Sequence, residues 1–372
     1  MSEMNSAVET AHRLKLTVAG RPESTDILLG PGVLSEAPAL LAPYRGGRLL
    51  LVADEGVRPL YAEPLRDALR EAGFAATLAA VPAGEESKTL ETLSRLYAEA
   101  HAAGLDRSDA VVAVGGGMVG DVAGMLAGTY MRGLALVQVP TSLVAMVTAS
   151  VGGKVGVNFD AHKNLVGLFK QPSHVLADTD TLRTLPATEY LSGLGELVNV
   201  GVLGAPEVFE SLERDGAARL HTLVAAAIRC KCDIVEADPF DRLGVRARLN
   251  LGHTFGHAFE TLSGFTLAHG LAVSVGLHVA ARVAAELGLC DASLPARVRR
   301  TLEALDLPVS LKGYRAGDVM AAMRHDKKRS GGRLRWVLPT AVGEVRIVGE
   351  EDVPPGLVER VLDELVDRGE GL

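Results

Sequence analysis

The stretch DAVVAVGGGMVGDVAG, from Asp109 to Gly124, joins a short apolar run to three consecutive glycines and then to a helical pattern. The apolar run predicts a buried strand, and the residues behind the glycines predict a helix that starts at once. A glycine-rich turn of this kind lets backbone amides close on a pyrophosphate at the helix N-terminus. The glycine spacing differs from the usual dinucleotide motif, so tight packing of helix on strand remains the alternative explanation.

Further strand-like runs lie on both sides of this turn. They are RLLLVAD (Arg48 to Asp54), AATLAAV (Ala75 to Val81) and LALVQVP (Leu134 to Pro140). Helices are predicted between the first of them, from about Leu60 to Ala72 and from Lys88 to Ala103. This β-α-β alternation predicts a parallel sheet with helices on its faces, and ligands then bind at the carboxyl ends of the strands.

From about Thr184 onward the sequence changes to long patterns rich in Ala, Leu, Val and Glu, which predict helices. Strand-like residues return only in RLRWVLP (333–339) and EVRIVG (344–349). We therefore predict an α/β fold. Residues 1–182 form an N-terminal, Rossmann-like parallel-sheet domain, and residues 183–372 form a mainly α-helical domain.

Composition narrows the class of protein. A chain of 372 residues has room for two domains, and with 48% apolar but only 4% aromatic residues its cores are built from Ala, Val and Leu. A net charge of −8 argues against a nucleic-acid partner. Three cysteines argue against a disulfide scaffold, and neither a signal peptide nor an apolar run of membrane-spanning length is visible. We expect a cytoplasmic protein with no membrane partner.

The stretch RARLNLGHTFGHAFE, from Arg246 to Glu260, carries the strongest chemical signal. On a helix His253 and His257 share a face, and Asn250 and Arg246 continue that face backwards. Such a face presents two imidazoles, an amide and a fixed positive charge to a small anionic ligand. Half-buried structural histidines are the alternative.

Three residues predict a metal site. Glu196 in GLGELVN, together with His253 and His269, offers one carboxylate and two imidazoles and leaves a coordination position open. That set of ligands is typical of catalytic zinc, whereas structural zinc sites are closed by thiolates.

Polar residues at strand ends and in glycine-containing loops predict a second set of contacts. Asp54 is placed to accept a hydrogen bond from a ribose hydroxyl, although an acid at a strand end is often a helix cap. Lys154 and Lys163 fall in two loops directly after the fourth strand, VGGKVGVN and HKNLVG. Two lysines in such loops are predicted to face a phosphate or carboxylate, with solvated surface lysines as the alternative.

Taken together, the motifs resemble those of one family. In order and spacing, over about Arg48 to Val348, the chain is similar to 3-dehydroquinate synthase of the sugar-phosphate cyclase superfamily; the motifs are GGGMVGD, YMRG, VQVPTS, SVGGKVGVN, KNLVG, QP, TLRTLP, GLGE, RARLNLGHTFGHAFE, AHG and DKK. The resemblance implies an NAD-binding α/β domain and a helical domain that binds metal and substrate, usually in a homodimer. It further implies conversion of 3-deoxy-D-arabino-heptulosonate 7-phosphate to 3-dehydroquinate, with NAD regenerated and with zinc or cobalt as the metal.

The resemblance also implies roles for individual residues. Glu196, His253 and His269 correspond to the metal ligands. The NAD contacts would come from the glycine turn and the neighbouring strand ends. Besides Asp54, they are Glu85, Lys88, Gly116, Gly117, Asp121, Thr141, Ser142, Thr181 and Thr184. Lys154 and Lys163 would contact both NAD and the substrate. The substrate pocket would be formed by Lys154, Lys163, Asn164, Arg246, Asn250, His257 and Lys327, with Arg132 reaching in from the second subunit.

Three positions depart from the family pattern. The family usually has aspartate at Thr148 and lysine at Asn199, both substrate contacts, and glutamate at Leu271. These changes leave alternatives open: a cyclase for another sugar phosphate such as sedoheptulose 7-phosphate, or a non-catalytic paralogue. A metal-dependent alcohol or glycerol-phosphate dehydrogenase, which would release NADH, is a third alternative because it shares the fold.

Overall fold

The computed structural model describes residues 12–18, 23–160, 162–329 and 334–366. The chain divides into two compact units. The first comprises Met1–Leu185 and Lys231–Phe240, and the second comprises Pro186–Cys230 and Asp241–Leu372. A short segment from the second half of the sequence therefore belongs with the N-terminal unit.

The first unit contains nine strands and four complete α-helices among the residues that the structure describes. The strands are β1 (His12–Val18), β2 (Glu23–Gly30), β3 (Arg48–Asp54), β4 (Ala75–Val81), β5 (Ala110–Gly115), β6 (Ala135–Pro140), β7 (Lys154–Phe159), β8 (His162–Phe169) and β9 (His174–Asp178). The helices are α1 (Ala37–Leu40), α2 (Glu63–Glu71), α3 (Leu90–Ala102) and α4 (Gly117–Thr129).

Seven of these strands form one sheet in the order β1-β2-β9-β6-β5-β3-β4. All neighbours are parallel except β1 and β2, which pair antiparallel at one edge. Apolar side chains of α3 and α4 pack on one face of the sheet, and those of α1 and α2 pack on the other. The predicted parallel-sheet domain with helices on both faces is confirmed.

The region from Lys154 to Phe169 differs from the sequence prediction. It was expected to form loops, but β7 and β8 form an antiparallel hairpin. Val155 and Val157 are buried among the residues of α4, and this burial gives the segment the one-sided apolar pattern of a strand. The absence of a side chain at Gly167 allows the two strands to approach closely, since a Cβ there would lie 2.5 Å from the Val155 carbonyl oxygen.

The second unit is mainly helical, as predicted. Its elements are α5 (Ala187–Leu203), α6 (Pro206–Asp215), the first part of α7 (Leu220–Ala237), α8 (His253–Leu262), α9 (His269–Glu286), α10 (Leu294–Ala304), α11 (Ala316–Arg329), β10 (Arg335–Ala341), β11 (Glu344–Gly349) and α12 (Leu357–Val366). The strand-like segments near the C-terminus form the antiparallel hairpin β10–β11. None of the helices in the described ranges is both long and apolar enough to cross a bilayer.

Helices α8 and α9 cross at glycines. A Cβ on Gly276 of α9 would lie 2.1 Å from the carbonyl oxygen of Gly252 and 3.0 Å from the amide nitrogen of Gly256. Both neighbours are backbone atoms, which cannot move aside as a flexible side chain can. This crossing therefore sets the separation between two helices that each begin with a histidine.

We predict that Gly276→Ala lowers the free energy of unfolding by about 2 kcal/mol or more, because overpacking against backbone forces the helices apart. Gly317→Ala is the matched control, since its Cβ would meet nothing closer than a Glu359 carboxylate oxygen at 3.9 Å. The control should be neutral or slightly stabilising, since alanine is the better helix former. Urea unfolding of both variants checks this, and equal stabilities would contradict a tight crossing.

Candidate active site

Three polar side chains converge in the second unit. Glu196 lies within α5 and is 1% exposed, while His253 and His269 are the first residues of α8 and α9. Oε1 of Glu196 lies 3.1 Å from Nε2 of His269 and 3.6 Å from Nε2 of His253. One ligand atom from each of the three residues falls within 4.8 Å of the others, so the group is able to hold a metal ion.

The other nitrogen of each ring is hydrogen-bonded away from this point. Nδ1 of His253 donates to the Leu251 carbonyl oxygen at 2.9 Å, and Nδ1 of His269 lies 3.2 Å from Oε2 of Glu260. These contacts orient both imidazoles so that their Nε2 atoms face Glu196. Metal-binding histidines are held in this way, with Nδ1 on a carbonyl or carboxylate. The three residues therefore fit a divalent cation.

Electrostatics distinguishes the two histidines. Burial lowers the pKa of His253, even though Glu196 acts in the opposite direction. Burial also disfavours the charged form of His269, but its hydrogen bonds to Glu196 and Glu260 outweigh that cost and raise the pKa of His269 to about 10. The buried carboxylate of Glu196 therefore stabilises a positive charge next to it, and a bound cation would supply that charge.

Residues around the cluster only partly follow the predicted helical face. His257 lies one turn after His253 on α8, with ring centroids 5.6 Å apart, which confirms that the two histidines share a face. The prediction that Arg246 and Asn250 continue that helix is wrong. They form a separate 3-10 turn, because the backbone leaves helical geometry at Leu251 and Gly252 has a φ of 71°.

Several predicted cofactor contacts come together in the first unit, at the carboxyl ends of β5 and β6. Gly116 caps α4, Gly117 is the first residue of that helix, and the Thr141 amide donates to the Gly115 carbonyl at 2.9 Å. Ser142 is nearly buried beside them, and its hydroxyl would lie 3.5 Å from a Cβ on Gly116. The open backbone at a helix N-terminus is a site suited to a pyrophosphate.

Lys88 links this turn to the hairpin. Its side chain is 5% exposed, and Nζ donates to the carboxylate of Asp121 on α4 and to the amide oxygen of Asn164 on β8. Glu85 lies beside it, and its carboxylate accepts a hydrogen bond from Asn158 at 3.0 Å. Burial raises the pKa of the Asp121 carboxyl despite the neighbouring ammonium. Four of the predicted residues are therefore in one polar network.

The remaining candidates are spread over several elements. Asp54 accepts hydrogen bonds from the amides of Gly56 and Val57 and so closes the turn that follows β3. Thr181 and Thr184 lie in the 3-10 turn after β9, where Tyr61 contacts both. The structure places the others as follows: Arg132 is exposed in a turn with a φ of 68°, Lys154 and Lys163 are exposed on the β7–β8 hairpin, and Lys327 lies in α11 with its side chain outside the described part of the structure.

Glu260 and Lys231 are among the polar residues in the described structure that the sequence prediction missed. Glu260 orients His269, and the signal was present because Glu260 lies seven residues after His253, two turns along the same helix. Lys231 on α7 donates from Nζ to the backbone carbonyl of Thr148, so this segment brings a further lysine to the first unit. No spacing in the sequence connects residues 83 positions apart, and this contact is visible only in the fold.

Comparison with known proteins places the chain in a family. Residues 78–192 match the family model for the 3-dehydroquinate synthase N-terminal region, and residues 193–329 match the model for the C-terminal region. A 3-dehydroquinate synthase from Symbiobacterium thermophilum is 43% identical over 354 residues, which cover 92% of this chain and 98% of that protein.

Solved structures of two sugar-phosphate cyclases share the fold. One is 2-deoxy-scyllo-inosose synthase with carbaglucose-6-phosphate, NAD⁺ and Co²⁺, at a TM-score of 0.84 and 26% identity, covering 95% of this chain and 100% of that one. The other is 2-epi-5-epi-valiolone synthase from Streptomyces hygroscopicus with NAD⁺ and Zn²⁺, at a TM-score of 0.85 and 29% identity, covering 94% and 98%. The fold and the resemblance inferred from the motifs are confirmed. The chain belongs to the 3-dehydroquinate synthase family of carbon–oxygen lyases.

Proposed function

We propose that this protein converts 3-deoxy-D-arabino-heptulosonate 7-phosphate to 3-dehydroquinate and inorganic phosphate. The observation that carries the proposal is the convergence of Glu196, His253 and His269 in a chain that matches 3-dehydroquinate synthases over almost its whole length. The reaction consists of oxidation of a substrate hydroxyl, loss of phosphate from the activated position, reduction of the ketone, ring opening and an intramolecular aldol addition.

We propose that the three residues hold zinc or cobalt, the metals found in the two related cyclase structures. Such an ion supplies Lewis acidity that lowers the pKa of a substrate hydroxyl. The protein's own part is to keep both Nε2 atoms directed at Glu196 through the Leu251 carbonyl and the Glu260 carboxylate. Neutral imidazoles and an ionised carboxylate are the forms in which these side chains coordinate a metal.

We propose that NAD lies against the turn at Gly116 and Gly117, at the carboxyl end of the sheet, because ligands of parallel sheets bind at that edge. NAD⁺ supplies a hydride acceptor that is regenerated within each turnover. Asp121 and Lys88 fix the helix behind the turn, and the further contacts are those assigned from the family: Asp54, Glu85, Thr141, Ser142, Lys154, Lys163, Thr181 and Thr184.

We assign the basic and amide side chains to the substrate's phosphate and carboxylate, namely Lys154, Lys163, Asn164, Arg246, Asn250, His257 and Lys327, with Arg132 contributed by a second subunit. Charge-assisted hydrogen bonds from lysine and arginine suit both anionic groups. A homodimer in the cytoplasm is part of this proposal. Residues 1–182 and 183–372 are proposed as its NAD-binding and metal-binding domains, with the segment Lys231–Phe240 lying in the first unit. The small, odd number of cysteines, three in 372 residues, agrees with a reducing compartment.

The test follows phosphate release and NADH absorbance in the same cuvette, with heptulosonate 7-phosphate as substrate and NAD⁺ far below its concentration. We expect many phosphates released per NAD⁺ and no net NADH. NADH accumulating in step with product would support a dehydrogenase instead. Turnover of sedoheptulose 7-phosphate alone would support a different cyclase, and inactivity on all substrates with metal and NAD⁺ bound would indicate a non-catalytic paralogue.

A further inference from the structure

We propose that Asn199 is a positioning residue for the metal centre, which acts through the Leu251 carbonyl to fix the ring of His253. The proposal rests on the function proposed above, because it takes Glu196, His253 and His269 as the metal ligands. Asn199 occupies a position at which the family usually has lysine, and the sequence alone suggested only a lost substrate contact. The structure gives its amide a different partner.

Asn199 lies on α5, three residues after Glu196, and is 1% exposed. Its Nδ2 donates to the Leu251 carbonyl oxygen at 2.7 Å. The same oxygen accepts the hydrogen bond from Nδ1 of His253 at 2.9 Å. A carbonyl oxygen has two lone pairs, so one acceptor serves both donors and connects the helix of one ligand to the ring of another.

The backbone around the Leu251 carbonyl is not helical. Leu251 has a ψ of 128° and forms, with Gly252 at a φ of 71°, the turn between the 3-10 segment Arg246–Asn250 and α8. A Cβ on Gly252 would lie 3.0 Å from Nδ2 of Asn199, so the amide packs directly against the glycine backbone. The side chain of Asn199 therefore fixes the peptide at the point where the chain turns into α8.

This contact determines which nitrogen of His253 is available. Because the Leu251 oxygen can only accept, Nδ1 of His253 carries the proton and Nε2 keeps its lone pair toward Glu196. If the carbonyl turned away, the ring would be free to rotate or to adopt the other tautomer. A group that hydrogen-bonds directly to a metal-binding histidine, as the Leu251 carbonyl does, is typically worth 10–100-fold in metal affinity.

The experiment compares Asn199→Leu, which has a similar size but no donor, with Asn199→Gln, which keeps an amide donor. Val198→Ala is the control, because it removes buried volume from the same helix and no hydrogen-bonding group. Metal-free proteins are titrated with Co²⁺ under competition from a chelator, and the visible absorbance of the bound ion reports both Kd and coordination. Thermal melts are recorded for each variant.

We expect Asn199→Leu to weaken Co²⁺ binding by about 10-fold or more, Asn199→Gln to weaken it less, and Val198→Ala to leave it unchanged. Equal Kd values for wild type and Asn199→Leu would overturn the inference. A second measurement needs no variant: the Nδ1–H proton of His253 in metal-free wild type should be visible by NMR and slow to exchange, and its absence would also overturn it. Wild type that binds Co²⁺ normally but makes no dehydroquinate would refute the proposed function and leave the role of Asn199 standing.

Discussion

Glu196→Gln is expected to lower kcat/KM for heptulosonate 7-phosphate by about 10³-fold or more. The substitution keeps the size of the side chain but removes the charge that faces both Nε2 atoms. Lewis-acid stabilisation is worth several kcal/mol in the transition state, and ~1.4 kcal/mol corresponds to a factor of ten in rate. Steady-state kinetics with saturating Zn²⁺ or Co²⁺ gives the value, and metal analysis of the dialysed protein shows whether the ion is lost.

Glu189→Gln is the matched control, because the same change then falls on an exposed residue of the same helix. It should have wild-type kinetics and metal content. Wild-type protein treated with a chelator and dialysed should lose turnover and regain it on addition of zinc or cobalt. Full activity in metal-free protein, or in Glu196→Gln, would show that the cluster has another role.

The sheet was predictable because its central strands are continuous apolar runs. β3 and β5 are buried along almost their whole length, and such runs between helical patterns are typical of parallel strands. The β7–β8 hairpin was not predictable in the same way. Its apolar pattern depends on packing against α4, and its glycines resemble those of a loop until the partner strand is known.

The three candidate metal ligands were predictable from residue type and from the family motifs, but the geometry of the residues around them was not. His253 and His257 share a face as a four-residue spacing requires. The break at Gly252 was concealed, because glycine at a helix start and glycine inside a helix look alike in sequence. The role of Asn199 was also hidden, since its partner Leu251 lies 52 residues away and offers only a backbone carbonyl.

At Thr148 this chain has a hydroxyl where the resemblance to the family implies a carboxylate. Its hydroxyl donates to the Val144 carbonyl at 2.9 Å, one turn earlier, and its own backbone carbonyl accepts from Lys231. A hydroxyl satisfied within its own turn adds no charge to the site.

Lys88→Met is expected to destabilise the first unit strongly, lowering the free energy of unfolding by about 3 kcal/mol at pH 7.5. Removing one member of a buried ion pair leaves the other charge uncompensated. Here the remaining group is Asp121, whose pKa is raised by burial and lowered by Lys88. Arg58→Met is the control, since the Arg58–Glu63 pair is exposed and should contribute little.

The pH dependence separates the charge of Lys88 from its packing. Without the ammonium, the folded-state pKa of Asp121 rises further above its unfolded value. A carboxyl with a raised pKa favours the folded state below the unfolded pKa, and this contribution is lost as pH rises through the folded pKa. The deficit of Lys88→Met should therefore be smaller at pH 5 than at pH 7.5, and Lys88→Met with Asp121→Asn should recover part of it. Urea unfolding at both pH values decides the matter, because a deficit that is independent of pH would mean that Lys88 stabilises the unit by packing and by its hydrogen bond to Asn164, without a contribution from its pairing with Asp121.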